Sequence, residues 1–297
     1  MDTVKQVAYK KPTRSESSKP LRKPFPWDIT LAYVLLTLGA VVMLTPFLWM
    51  ILTSFKTLEE SYRMTFIPEQ LTLQAYRDAW AGERIQSMFG RWYLNSLLVT
   101  GIAVVGQAFF CTMAGYAFSK YHFRGRTILF ILVLSTIMVP GEMLVLPWYQ
   151  QMVDWNWQNS YQGLLYPHII SGFGIFLLQQ FIDGVPNDLI DAARVDGMSE
   201  FGIFFNIIVP LVKPAIATLC IFTFLSVWND FFWPVIVTNK IDMWTLSLGV
   251  GSYEADAMVE YNLQMAAATT ASIPLIIIFL FFQSRIIEGI MLTGIKG

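Results

Sequence analysis

Six stretches of the 297-residue chain run for 18 to 23 residues with hardly a charged side chain: 31–52, 96–118, 127–148, 164–182, 215–237 and 265–282. A helix rises 1.5 Å per residue and a bilayer core is about 30 Å thick, so about 20 apolar residues make one crossing. In hydrocarbon every backbone polar group must find a partner within the protein, which makes the helix the crossing element for runs of this length. The charged fraction agrees, at 14% against about 25% in soluble domains. The expectation is an all-α integral membrane protein with six transmembrane helices. Pro140, Gly141 and Pro147 interrupt the third run, and Pro167, His168, Gln179 and Gln180 dilute the fourth. Such breaks survive where neighbouring helices or a watery cavity take up the freed backbone groups.

Orientation follows from the positive charges. Residues 1–27 carry Lys5, Lys10, Lys11, Arg14, Lys19, Arg22 and Lys23 against Asp2 and Glu16, and basic flanks stay on the cytoplasmic side. With six spans the C-terminus returns to that side. The inside segments then hold 14 of the Lys and Arg residues and the outside loops 6. The organisation expected is a disordered basic cytoplasmic tail, 1–27, followed by a six-span membrane domain, 28–297, in which 183–213 is a cytoplasmic loop. The tail's Lys, Ser and Pro suit either a topology signal or contact with anionic lipid heads. Trp148, Trp155, Trp157 and Tyr161 around the second outside loop suit an interfacial aromatic belt. The first span is too long and too far from the start for a cleaved signal peptide.

Several function classes drop out. There is no basic stripe interleaved with aromatics, so nucleic acid is not a partner. Cys111 and Cys220 fall inside apolar runs and offer neither a disulfide framework nor a zinc site. No metal and no catalytic residue is expected. His122, in the basic KYHFRGR loop, reads as solvated, and His168 as helix packing or pathway lining.

The segment DAARVDGMSEFGIFFNIIVP, Asp191 to Pro210, is the anomaly. An Asp at a helix centre costs about 2.5–3.5 kcal/mol on insertion scales, and Asp188, Asp191 and Asp196 crowd here with Arg194 and Glu200. The segment therefore leaves the membrane. It is nevertheless helical in pattern: Asn187 or Asp188 can cap a short helix, Asp191 falls in the favoured first turn, and Gly197 suits the left-handed position after its end. Ser199 can cap a second helix with Phe201, Phe204, Phe205 and Ile208 on one stripe as far as Pro210. Small side chains at Ala192 and Ala193 would let another backbone approach. A helix, glycine turn and helix at the membrane surface reads as a docking knob for a partner or as an unpartnered interfacial helix.

Asp191, Ala192, Ala193, Gly197, Ile207 and Pro210 reproduce the spacing EAA-x3-G-x9-I-x-L-P, with Asp191 for glutamate and Val209 for leucine. This resembles the loop that marks the membrane subunits of ATP-binding-cassette importers. The stretches SFKTLEE, LQAYRDAW, IMVPGEMLVLPWYQ, VPNDLIDAARVDG, VWNDFFWP and IIEGIMLTGIKG resemble the carbohydrate branch, of the maltose-transporter second-permease type. The resemblance implies that the loop is a coupling helix seated in a cytoplasmic ATPase, with Asp188, Asp191, Ala192, Ala193, Asp196, Gly197 and Pro210 as the coupling residues. It also implies two ATPase subunits, a second homologous permease, an extracytoplasmic solute-binding protein, a sugar substrate and residence in a prokaryotic cytoplasmic membrane. The chain has no GxxxxGK[ST] loop, so ATP and Mg would be used by the partner ATPase and no cofactor bound here.

Polar groups inside spans are expensive and mark pathways. Glu142 in the third run, and Asn229 and Asp230 in the fifth with Trp228 and Trp233 beside them, are the pathway candidates. Hydroxyl-rich substrates suit hydrogen-bonding groups among aromatic faces; interhelical hydrogen bonding is the structural alternative. A proton-coupled secondary transporter using Glu142 and Asp230 is the rival function, but it leaves 191–210 without a role and no internal repeat supports it. An intramembrane enzyme would need a nucleophile or metal cluster that no motif supplies. A membrane scaffold is the third rival.

Overall fold

The computed structural model describes residues 27–63, 65–81, 88–253 and 260–294, with side chains from 29 to 282 within those ranges. All regular structure among them is helical. The basic tail expected over 1–27, but for Trp27, lies outside the described residues. The chain divides into two compact units, residues 1–47 and 48–297. Helix α1, Trp27–Ser54, passes through the boundary with Pro46 inside it. Pro46 has no N–H to donate one turn back, and the Thr45 hydroxyl donates to the Val41 carbonyl at 2.7 Å beside it. In the first unit Leu36, Val42 and Met43 are exposed on a helix long and apolar enough to cross a membrane.

In the second unit, α2 (Leu58–Ser61) and α3 (Gln74–Ala81) precede the 32-residue α4, Phe89–Lys120, which is about 48 Å long. Then come α5 (Arg126–Ile137), a tight turn at Gly141–Leu144, α6 (Val145–Asp154), α7 (Tyr161–Leu165) and α8 (Gly172–Asp183). The polar segment forms α9 (Asn187–Val195), α10 (Glu200–Ile203), a wide π turn at Phe204–Ile208 and α11 (Val209–Leu211). The chain ends in α12 (Lys213–Trp228), α13 (Phe232–Val237), α14 (Leu246–Ser252) and α15 (Tyr261–Gly294).

Three of the expected runs lie on helices long and apolar enough to cross a bilayer singly: 29–54 of α1, α4, and 261–282 of α15. The other three are broken. The run 127–148, where Pro140, Gly141 and Pro147 led to an expected interruption, breaks after α5, and α5 meets the 141–154 segment at 100°. Met138 and Val139 donate three residues back, to the carbonyls of Ser135 and Thr136, which tightens the end of α5, and Pro140 cannot continue the ladder. Residues 161–168 and α8 meet at 47°. The run 215–237 also divides, because α12 stops at Trp228 and Asp230 Oδ1 accepts the amides of Phe232 and Trp233 at 3.1 and 3.3 Å to start α13.

Helix α4 is the central strut, packed against α7, α8, α12 and α14. Its approach to α8 requires Gly115: a Cβ there would lie 2.8 Å from the Gln179 backbone nitrogen, and small residues are what permit such contact between membrane helices. Three apolar clusters follow its length. Phe89 and Trp92 pack with Trp228, Leu246 and Leu263; Val99 and Ala103 with Met152, Trp233 and Val237; Cys111 and Tyr116 with Leu178, Ile190, Ala193 and Ile208. At its first turns, Trp92 Nε1 donates to Ile241 O at 2.7 Å and Asn95 Nδ2 donates to Asp242 O and Trp244 O at 2.9 and 2.8 Å. Ser96 Oγ accepts the Leu246 amide at 2.7 Å. Four backbone groups of the 241–246 turn are thereby held by side chains of one helix.

Candidate functional site

The anomalous segment folds as two short helices about a glycine turn. Helix α9 begins at Asn187 after an extended Pro186 and has no side-chain cap. This corrects the expected capping: Asn187 Oδ1 instead accepts from Lys120 Nζ at 3.0 Å, and Asp188 lies exposed in the first turn, where a carboxylate favours the free amides. Asp191 is in the second turn rather than the first, and its Oδ1 lies 3.2 Å from Arg194 Nη1.

Helix α9 ends with a full Schellman closure. Gly197 sits at φ +80°, its amide donates to Arg194 O at 3.0 Å, and the Met198 amide reaches back to Ala193 O at 2.9 Å. Asp196 is the last residue before it and donates to Ala192 O at 3.0 Å, with its own side chain in solvent. Ser199 then caps α10 by accepting the Gly202 amide at 3.2 Å. The expected stop at Pro210 comes two residues late: Pro210 lies within α11, the helix breaks at Val212, and α12 departs at 78°.

The two alanines part company. Ala192 is exposed, whereas Ala193 is buried with Ile190 in the cluster that holds Cys111, Tyr116 and Ile203. Ala193 thus serves the chain's own packing, since its position three residues after Ile190 places both on the inner face of α9. The outer face carries Leu189, Ala192 and Val195, which is 88% exposed. The expected aromatic stripe also splits. Phe201, 71% exposed, and Phe205 point outward, while Phe204 and Ile208 are buried, and the π turn that begins at Phe204 shifts the faces.

Glu200 ties the parts together. Arg194 Nε donates to Glu200 Oε1 at 2.8 Å and Arg194 Nη2 to Oε2 at 3.3 Å, a bidentate pair across the glycine turn. The hydroxyls of Tyr116 and Tyr121 both donate to Glu200 Oε2, the former at 3.3 Å. The Arg194 bond, with the Tyr121 bond next, holds the Glu200 carboxyl below the usual carboxylate range; the same pair holds Arg194 above its ordinary value. Burial pushes the Tyr121 phenol up, and its bond to Glu200 adds to the shift. Glu200, Tyr116 and Tyr121 line an aromatic groove with Phe109, Met113 and Phe201.

The pathway candidates scatter. Trp228 is buried with its Nε1 on Ala271 O at 3.0 Å, and Trp233 is buried with its Nε1 on Gly163 O at 2.9 Å. Asn229 is exposed and folds its Nδ2 back to Leu225 O at 2.8 Å. Asp230, besides starting α13, lies 3.0 Å from His168 Nε2 through its other oxygen. Glu142 is exposed in the turn between α5 and α6. His122 is exposed beside Arg126.

Sequence reasoning passed over Gln107, the polar hub of the bundle. Its Nε2 donates to His168 O at 2.8 Å, and its Oε1 accepts from Ser171 Oγ and Thr223 Oγ1, both at 3.0 Å. An amide isolated in the second apolar run was the available signal.

Residues 111–290 match the family described as the binding-protein-dependent transport system inner membrane component, and that stretch holds both the helix–turn–helix and the bent helix pairs around it. The chain belongs to this family. As an inner membrane transport component it is similar to the arabinooligosaccharides transport system permease protein AraQ of Bacillus subtilis, at 37% identity over 91% of this chain and 95% of that protein. It is similar, at 28% identity, to the diacetylchitobiose uptake system permease protein NgcG of Streptomyces coelicolor, over 86% of this chain and 85% of that one. A crystal structure of a bacterial ABC transporter involved in the import of the acidic polysaccharide alginate superimposes with a TM-score of 0.76 at 23% identity, over 88% of this chain and 99% of its counterpart. The fold of this inner membrane component is therefore that of a transporter permease.

Proposed function

We propose that this chain is one permease subunit of an ATP-driven importer that moves a sugar or oligosaccharide across a prokaryotic cytoplasmic membrane. The observation that carries the proposal is the helix–turn–helix at 187–211. Its inner face is welded to the bundle through Ile190 and Ala193, while Leu189, Ala192, Val195 and Phe201 stand outward. An exposed apolar edge on a rigidly held polar loop is what docking to a soluble partner requires. The partner is a pair of ATPase subunits, which use the ATP and Mg, while this chain binds no cofactor. Asp188, Asp191, Asp196, Gly197 and Pro210 shape the coupling loop, Ala192 faces the partner, and Ala193 seats the loop on its own bundle.

The chain crosses the membrane six times, with α1, α4 and α15 as unbroken spans and the segments 126–154, 161–183 and 213–237 as broken ones. The loop 183–213 and both termini face the cytoplasm, where the basic residues concentrate. A second, homologous permease completes the pore and an extracytoplasmic solute-binding protein delivers the substrate, in keeping with the family's dependence on binding proteins. A carbohydrate substrate is supported by the names of the relatives. Asn229 and Glu142, both exposed, are the pathway candidates the geometry leaves available, with Trp228, Trp233 and Asp230 supporting the walls. The rival proton-coupled transporter is not favoured, because Asp230 is engaged on both oxygens.

Pull-down of the tagged chain from gentle detergent should bring a second permease and an ATPase subunit, and vesicles holding the complex should take up substrate with ATP and binding protein and no proton gradient. Uptake that needs the gradient and ignores ATP refutes the proposal.

A further inference from the structure

The docking loop must pass its displacement into the membrane, and the covalent route is poorly suited to that. Between α10 and α12 the chain runs through the π turn at Phe204–Ile208, Pro210, a break at Val212 and a 78° bend. Each is a place where a helix gives way. The non-covalent route is different. The last turns of α4 hold the loop on both sides of α9.

Before α9, Lys120 Nζ donates to Val185 O at 2.6 Å, to Asn187 Oδ1 at 3.0 Å and to Asp183 O at 3.4 Å. Ser119 Oγ adds a bond to Asp183 Oδ1 at 3.2 Å. After α9, the Tyr116 and Tyr121 hydroxyls converge on Glu200 Oε2, which Arg194 braces from the loop side. Between these two grips Ile190 and Ala193 are buried in the cluster to which Tyr116 belongs. Helix α4 is unbroken from Phe89 to Lys120 and packs on α7, α8, α12 and α14.

We infer that α4 is the lever that carries the loop's movement into the bundle, and that Lys120, Tyr116 and Tyr121 are positioning residues that couple it to the loop. The inference rests on the proposed role of 187–211 as the ATPase-coupling loop. A straight helix gripped at two points transmits both translation and rotation, whereas a single contact would let the loop pivot. Charge assistance at Lys120 and at Glu200 makes these the stronger class of hydrogen bond, and the lever needs no rearrangement of the loop's own closure.

The experiment uses the assembled complex of permeases, ATPase subunits and binding protein in lipid vesicles, and reads substrate taken up per ATP hydrolysed. The variants are the double Y116F/Y121F, which leaves the Arg194–Glu200 pair and both helix ends of the loop in place, and K120Q. Each should keep the ATPase subunits bound and keep hydrolysis within about twofold of the original, while uptake per ATP falls roughly tenfold, the scale of losing hydrogen bonds to charged groups. K120R, which preserves the cation, should restore the ratio. A merely structural role would lower uptake and hydrolysis together, in proportion to assembled complex. Unchanged uptake per ATP in both Y116F/Y121F and K120Q, or a proportional fall of both activities, overturns the inference. Vesicles in which the unsubstituted complex fails to use ATP for uptake overturn the functional reading itself, and the lever with it.

Discussion

Replacing Gly197 by valine tests whether the turn geometry, and nothing else at that position, sets the shape of the docking loop. Gly197 holds φ at +80°, and a Cβ built there has no atom within 4 Å in this chain, so the cost is conformational rather than steric. A β-branched residue in that region costs on the order of 1–3 kcal/mol. The alternative is to unwind the turn. That gives up the Gly197 to Arg194 and Met198 to Ala193 bonds, at about 1 kcal/mol each. Both routes end near the same figure, which raises the opening equilibrium of the turn by roughly five- to 150-fold. The spans contribute nothing to this balance, so insertion into the membrane should be intact. Hydrogen exchange at residues 196–199 should accelerate in G197V by that factor, and binding-protein-stimulated ATPase should fall in step. Asparagine tolerates the left-handed region, so G197N should recover most of both. Normal exchange and ATPase in G197V would refute the argument. So would a G197N variant as impaired as G197V, since that would mean a side chain at 197 collides with something outside this chain.

Three further outcomes follow from the same geometry. V195D places a carboxylate on the most outward point of α9; the chain should fold and insert as before while co-purified ATPase subunit drops about tenfold or more, the scale of an unpaired charge in an interface, and undiminished co-purification would remove Val195 from the docking face. Q107L should strip partners from the His168 carbonyl and the Ser171 and Thr223 hydroxyls, lowering thermal stability in detergent by on the order of 3 kcal/mol while leaving uptake per ATP unchanged in the surviving complexes; an unshifted unfolding midpoint would contradict the hub assignment. Because Arg194 and the two tyrosines depress the Glu200 carboxyl in the folded chain, its contribution is present above the ordinary carboxylate value of about 4.3 and is lost as pH falls through a lower one, so exchange protection of α10 should hold from pH 8 down to 5, and loss within that interval would show that another group controls the loop.

The features that sequence conveyed best are those set by local chemistry. Apolar run length located the long apolar stretches 29–54 of α1, 89–120 of α4 and 261–282 of α15 to within two helical turns, because hydrocarbon burial leaves a helix no substitute for uninterrupted side chains. Gly197 and Ser199 were legible because a left-handed turn and a side-chain cap admit few residue types. The bends were harder. The run 215–237 reads as one span, yet Asp230 finds two amides and a histidine and divides it; the sequence displays the acid, but its histidine partner depends on where the 161–168 segment lies. The opposite fates of Ala192 and Ala193 depend on which side of α9 meets α4. The Lys120 and Glu200 grips join residues between 63 and 84 positions apart, a separation over which no spacing pattern operates.

The contacts at the first turns of α4 set an order on biogenesis. Trp92, Asn95 and Ser96 take their partners from residues 147 to 150 positions later in the chain. At about 5–20 residues per second of synthesis, those partners arrive roughly 7–30 s after the first turns of α4 are made. Throughout that interval a wholly buried asparagine and its neighbours stand without their final hydrogen-bond partners at one edge of the bundle. The nascent chain is therefore held in a half-assembled state until the 241–246 turn is delivered, and the insertion machinery must shelter that edge for as long.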